Sequence, residues 1–399
     1  MDKSDNTIID KLQQMDFNFN KKDALVFILE NHPKKNYLYR VISYLLLLNQ
    51  IKPGKENYIP ELGIIYQKYL QYRSQIYKDE NELNNPLNIF DKDDQFPISQ
   101  DLNVRKSLFQ DDLNTMHIEP PTNDIQKAVF RVFGVICHFP HKYEYDYSYL
   151  PGILIYIYTF YLLGLKFSQK YQLPEDFAEA ISFAINRVWL PTIRLTTFLD
   201  NPDVFTEHFE DLDERIPKYA PKIYKTLFQN NLVSPSFAFH WHLVLFSDIH
   251  NIRDTFLIWD QLIGRKIYFR RILDNFCLAH LIQVEAKFDT IMEKYQALSN
   301  EESKDKKRNV DYGPENVILD HILLEKEWDV TKLINDQLKI FGDEGNIFTM
   351  RNLLVFILII MMTVALSLYL YPKFKANFKV PQRTRPQYVR GVKMNEQDL

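Results

Sequence analysis

The sequence predicts an all-α protein: a multi-helix domain followed by a single C-terminal transmembrane helix. Three observations carry this. Only 10 of the 399 residues are glycine, against a usual share of about 7%. So few glycines leave few tight turns or hairpins and favour long helices joined by polar or Pro-containing loops. Apolar positions recur at helical spacing, with no strand pattern of convincing length. Finally, Leu353 to Tyr371 is nineteen consecutive residues without a charge. At about 1.5 Å per residue such a run reaches roughly the 30 Å of a bilayer core.

The elements follow in order. Residues 1–34 read as an N-terminal helical extension. Lys22 to Gln50 reads as two helices broken at His32-Pro33, because proline cannot continue a helix and restrains its predecessor. Tyr58 to Lys78 is helical, with Ile64, Ile65, Tyr69, Tyr72 and Ile76 at its apolar or aromatic positions. Residues 79–123, rich in Asn, Asp and Pro, read as a surface-hugging loop with one short helix. Asp124 is placed as the cap of a helix running through Phe139. From Asp146 an apolar, aromatic run extends to about Tyr171. Its uncharged part, Gly152 to Leu165, is only fourteen residues, which suits a buried core helix better than a second span.

Further helices are expected at Glu175–Phe198, Tyr219–Asn230, Ser236–Phe246, Asn251–Ile263 and Phe269–Ala297. The main domain thus covers 35–297. A charged linker covers 298–311, an amphipathic helical segment 312–346, the transmembrane helix 347–371 and a basic tail 372–399.

Composition excludes several classes. A net charge of −4 carries no nucleic-acid footprint. The first twenty residues lack the apolar core of a secretory signal and contain acids but no Arg, so neither that signal nor a mitochondrial presequence is expected. Cys137 and Cys277 lie in apolar runs without ligand-like spacing and read as buried thiols. Cys277 with His280 reads as packing. His138, His141, His240 and His242 are the remaining metal-capable residues of note. His240 and His242 stand two apart on an expected helix and face different ways, so no metal site is expected. There is no Gly-rich phosphate loop and no Gly-x-Ser-x-Gly motif, and no cofactor is expected. Tyr and Phe number 24 and 29, so some aromatics are expected on the surface, as at partner sites.

From Phe239 the chain runs FHWHLVLFSDIHNIRDTFLIWDQLI. Trp241 is followed by Phe246 five residues on, and by the pair Trp259-Asp260 thirteen residues later. This resembles the C-terminal signature of TBC domains, the GTPase-activating domains for Rab proteins. Three other pieces occur in the family's order. Arg40 to Tyr44 looks like its opening Arg-x-x-x-Trp, with Tyr44 in place of Trp. Ile98 to Arg105 looks like its Ile-x-x-Asp-x-x-Arg segment, with Asp101 aligned and one extra residue before Arg105. Tyr149-Leu150-Pro151-Gly152 stands where the family has Tyr-x-Gln-Gly. The resemblance covers roughly residues 35–290, and a C-terminal transmembrane segment is similar to the family's membrane-anchored subgroup. Trp241, Phe246 and Trp259 also read as core residues, and Arg40, Arg253 and Asp260 as members of ion pairs.

The resemblance implies a mechanism in which an Arg neutralises charge on the transferring phosphoryl group while a Gln orients the attacking water. An arginine finger is worth about 10³ to 10⁵ in rate, and a misplacement of about 1 Å can cost about 100-fold. Arg105 is the sole Arg near the finger position and sits one residue out of register, which a local bulge would correct. Proline has no side-chain amide and no backbone N–H, so Pro151 cannot position water, and no Gln occurs from 127 to 168. Arg105 is therefore a catalytic candidate only if the chain is a GTPase-activating protein (GAP) that draws on the GTPase's own Gln.

Charge bias fixes an expected orientation. Lys373, Lys375, Lys379, Arg383, Arg385 and Arg390 follow the span, whereas residues 333–352 hold only Lys339 and Arg351, which places the tail on the positive-inside face. A mitochondrial inner-membrane protein with a matrix tail satisfies this better than a cytosolic GAP anchored in the endoplasmic reticulum. The expected function is a non-catalytic scaffold or accessory subunit of a membrane complex, in contact with lipids and other subunits. The alternative is a membrane-anchored Rab GAP of the secretory pathway, whose partner is a Rab-type small GTPase.

Overall fold

A computed structural model describes residues 3–15, 18–30, 36–86, 122–138, 150–193, 202–302, 313–324 and 327–343. All regular structure in them is helical. The helices are α1 (Lys3–Leu12), α2 (Lys21–Leu29), α3 (Tyr37–Leu47), α4 (Lys55–Ile76), α5 (Glu80–Asn84), α6 (Asn123–His138), α7 (Leu150–Lys170) and α8 (Asp176–Ile193). After these come α9 (Pro202–Tyr219), α10 (Pro221–Phe228), α11 (Pro235–Val244), α12 (Ile252–Gly264), α13 (Phe269–Glu302) and α14 (Pro314–Leu324), with a last helix α15 over 330–343. The chain divides into a unit Met1–Phe341 and a unit Gly342–Leu399. The proposed span at 347–371 lies outside the described residues. Among those residues no helix is long and apolar enough to cross a membrane.

The first unit is organised around α7 and α8. The apolar run that opens α7 is core, as its length predicts: Ile153, Leu154, Ile155, Tyr156, Ile157 and Phe160 are all buried. Helix α8 lies against it, and a Cβ on Gly164 would meet the Ala178 carbonyl oxygen at 2.9 Å. The two backbones therefore approach as closely as only glycine permits. α8 also packs on α3, α4 and α6. The buried Glu179 on α8 joins three of these helices. It accepts from the Tyr69 hydroxyl of α4 at 2.5 Å and from Arg131 Nη2 of α6 at 2.5 Å, with Arg73 Nη1 of α4 at 3.4 Å. A buried carboxylate is tolerated when it is paired in this way.

Several sequence expectations are corrected. The helix starting at Asn123 is capped by Thr122, whose carbonyl accepts from the Gln126 N–H at 2.9 Å, and Asp124 lies within its first turn. Helix α9, Pro202–Tyr219, occupies most of 199–218, where the sequence predicts no element. Phe205, Phe209, Leu212 and Ile216 recur on it at spacings of four, three and four, so the periodicity is present, masked by six acidic residues between 203 and 214 and by prolines at both ends. Helix α13 continues through Glu302, into the expected linker. The helical segment expected at 312–346 needs no correction: it is a pair of helices, α14 and α15. Among the described residues most aromatics are interior and a few are exposed. Large exposed apolar side chains among the described residues are Val26, Tyr37, Ile64, Val233, Ile267 and Tyr268, of which two are aromatic.

Candidate functional site

The signature residues converge where α3, α7, α11 and α12 meet. Asn251 caps α12, its side-chain oxygen accepting from the Asp254 N–H at 3.1 Å. This fixes a helix whose buried face carries Trp259 and Asp260. Asp260 is fully buried and receives a two-pronged bond from Arg40 of α3, Nε to Oδ1 at 3.0 Å and Nη2 to Oδ2 at 2.8 Å. The Tyr44 hydroxyl donates to the same Oδ1 at 2.7 Å. Burial works against the Arg40 charge, but Asp260 outweighs it and holds the guanidinium above its ordinary pKa. Burial, and then Asp260, hold the Tyr44 phenol well above its own. Arg40 is 3% exposed, so it joins helices and cannot reach a partner's phosphate.

The Trp–Phe–Trp spacing follows from the turn between α11 and α12. Leu245 and Phe246 both adopt left-handed backbone, with φ of 50° and 63°, a conformation that costs non-glycine residues about a kcal/mol or more. The Trp259 indole N–H donates to the Leu245 carbonyl at 3.0 Å, and Trp241 packs on the Phe246 ring at 5.5 Å. Trp259 in turn meets Tyr156 and Phe160 of α7 at 5.5 and 5.3 Å. The aromatic residues thus hold a strained turn in place.

The last turn of α11, just before that turn, seats the start of α7. A Cβ on Gly152 would lie 2.7 Å from the Leu243 carbonyl oxygen, and the Tyr156 hydroxyl donates to the same oxygen. Gly152→Val is expected to destabilise the protein by about 1–3 kcal/mol through overpacking, read as a lower urea midpoint. Pro151 is the second residue of α7, where a missing N–H costs nothing because first-turn amides lack intrahelical partners. Proline is compatible with the helix start, while supplying no amide. Arg253 is exposed in the first turn of α12. Asp101, Arg105 and Tyr149 lie outside the described residues.

The sequence matches the Rab-GTPase-TBC domain family over residues 37–289. The chain belongs to this family. Among solved structures it is similar to the Ypt/Rab-GAP domain of Gyp1p, with a TM-score of 0.55 and 11% identity, covering 86% of this chain and 99% of that one. At that identity the likeness shows a shared fold. No curated protein matches by sequence.

Two further polar clusters in this TBC domain were not legible in the sequence. The first joins His208 of α9, His242 of α11 and Asp274 of α13, all buried. His208 Nε2 and His242 Nε2 are 3.1 Å apart, and each approaches Asp274 Oδ1, at 3.2 and 3.0 Å. Arg215 of α9 lies 3.7 Å from the other carboxylate oxygen. His240, two residues from His242, is instead half exposed and paired with Asp248 at 2.8 Å, as the helical reading of 236–246 requires. The second cluster is a buried pair, His250 Nε2 to His280 Nε2 at 2.9 Å. His280 stacks on Phe246 at 4.7 Å and 4°. Cys137 and Cys277 are both buried, and burial pushes both thiols up, which makes them poor nucleophiles.

Proposed function

We propose that this TBC-family protein is a non-catalytic scaffold or accessory subunit of a membrane complex, set in the mitochondrial inner membrane. The observation that carries the reading is Pro151 at the head of α7, where the family pattern has Gln. The helix starts there and its register is set by Gly152 against Leu243, so the position is built while the amide is missing. The described signature residues Arg40, Tyr44, Trp241, Phe246, Trp259 and Asp260 maintain the fold and present no reactive group outward. The nineteen uncharged residues from Leu353 support a membrane setting, and the six cationic residues behind them support a tail on the positive-inside face.

The rival reading, a membrane-anchored Rab GAP acting through Arg105, is supported by family membership. One experiment separates the two. Native membranes are solubilised gently and the particle containing the chain is sized and its composition determined. A stoichiometric place in a large assembly is the expected result. Migration as a lone 47.7 kDa chain, or with a small GTPase, overturns it. So does stimulation of GTP hydrolysis by the solubilised full chain that is lost in Arg105→Ala.

A further inference from the structure

We propose that His208, His242 and Asp274 form a binding site for a divalent transition-metal ion, of the class that takes imidazole and carboxylate ligands together. Three potential ligand atoms, one from each residue, make a nearly equilateral triangle with edges of 3.0, 3.1 and 3.2 Å. An ion bound at about 2.0–2.1 Å to each atom needs ligand separations of roughly 2.9 Å in octahedral and roughly 3.3 Å in tetrahedral geometry. The observed edges fall between these values. Two His and one carboxylate suit zinc or ferrous iron, whereas magnesium and calcium prefer oxygen ligands.

Proton placement points the same way. The His242 Nδ1–H donates to the Ala238 carbonyl at 2.6 Å, a hydrogen bond of the kind that orients metal-bound imidazole. In the neutral ring Nε2 is then a bare lone pair, held 3.0 Å from a carboxylate oxygen. Two lone pairs at that distance repel unless a cation, a metal ion or a proton on Nε2, lies between them. Cys277 is not a ligand, because its Sγ lies 3.9 Å from the Nδ1 side of His242. Arg215 Nη1 stands 3.7 Å from the second carboxylate oxygen and so engages the oxygen that the triangle does not use. The three ligands come from three different helices, so the ion would fasten α9 and α11 to α13.

The test uses the full chain in detergent. After purification without added metal and gel filtration, metal content is measured by plasma mass spectrometry, for the wild type and for His208→Gln and Asp274→Asn. The metal-stripped protein is then titrated with Co²⁺ and Zn²⁺. The expected result is one transition-metal ion per chain and a Co²⁺ absorption band that Zn²⁺ displaces. Both should fall at least tenfold in each variant that retains helical circular dichroism. If neither variant folds, the wild-type stoichiometry and band still decide. A substoichiometric metal content together with no Co²⁺ band, or a content made up of magnesium or calcium, overturns the site and leaves a histidinium–carboxylate cluster in its place.

Discussion

Asp260→Ala is expected to destabilise the domain by about 3–5 kcal/mol, the cost of removing one member of a buried, hydrogen-bonded ion pair. The loss comes less from the missing bonds than from what remains. The Arg40 guanidinium, buried between Phe256 at 5.0 Å and Tyr37 at 5.7 Å, would keep its charge and lose its counter-ion, and Tyr44 would lose its acceptor. The full apolar replacement is the triple variant Arg40→Met, Tyr44→Phe, Asp260→Leu. The double variant Arg40→Met with Asp260→Leu is expected to recover part of that stability, since apolar residues of similar volume often replace a buried pair at little cost. In it the buried Tyr44 hydroxyl stays without its acceptor. Guanidinium unfolding of the two single variants, the double variant and the triple variant measures this. A double variant as unstable as Asp260→Ala would show that the polar cluster, and not its charge balance, is what α12 requires.

The second large effect is expected in acid. His280 donates from Nδ1 to the Phe276 carbonyl at 2.7 Å and accepts at Nε2 from the His250 N–H, so the His280 ring is satisfied in the neutral form. Burial outweighs the Phe276 contact and lowers the His280 pKa from 6.5 to about 3. Burial and the neighbouring His280 hold His250 well below its ordinary value too. The unfolded chain therefore binds more protons than the native one as pH falls below 6.5. Stability is complete above that value and is lost progressively down to about pH 3 for His280. At about 1.4 kcal/mol per unit, His280 should make unfolding at pH 5 cost about 2 kcal/mol less than at pH 7.5, and His250 acts in the same direction. His280→Gln, which keeps an acceptor for His250, should reduce the slope. A midpoint unchanged between the two pH values would refute the neutral pair.

How much was legible depended on whether the signal was local in sequence. Trp241, Phe246 and Trp259 kept their spacing because it describes one helix end, one turn and one following helix. Their core role and the ion-pair role of Arg40 and Asp260 were readable in kind. That Arg40 pairs with Asp260 itself is a contact between distant segments, which periodicity cannot supply. Gly152 and Pro151 were visible as a motif, but the reason for glycine, the Leu243 carbonyl beneath it, belongs to a different helix. The histidine cluster stayed hidden because its three members stand 34 and 32 residues apart. His208 lay in a segment whose acidic residues and prolines obscured its helix, and Asp274 looked like one more polar position on a long one. A high Tyr and Phe content says nothing about which face they occupy; among the described residues α7 and α8 bury many of them, while Tyr37 and Tyr268 are exposed.

The Arg40–Asp260 bond also sets an order of events during synthesis. Its two ends are 220 residues apart. At roughly 5–20 residues per second, Arg40 leaves the ribosome on the order of 10–40 s before its counter-ion exists. Throughout that interval α3 carries a charge destined for the interior and has nothing to neutralise it, so the N-terminal helices cannot settle in their final place. The domain can close only after α12 has been made. By then the uncharged run beginning at Leu353 is the next long apolar segment to emerge, and a nascent chain still open at that point would expose two unfinished apolar surfaces at once.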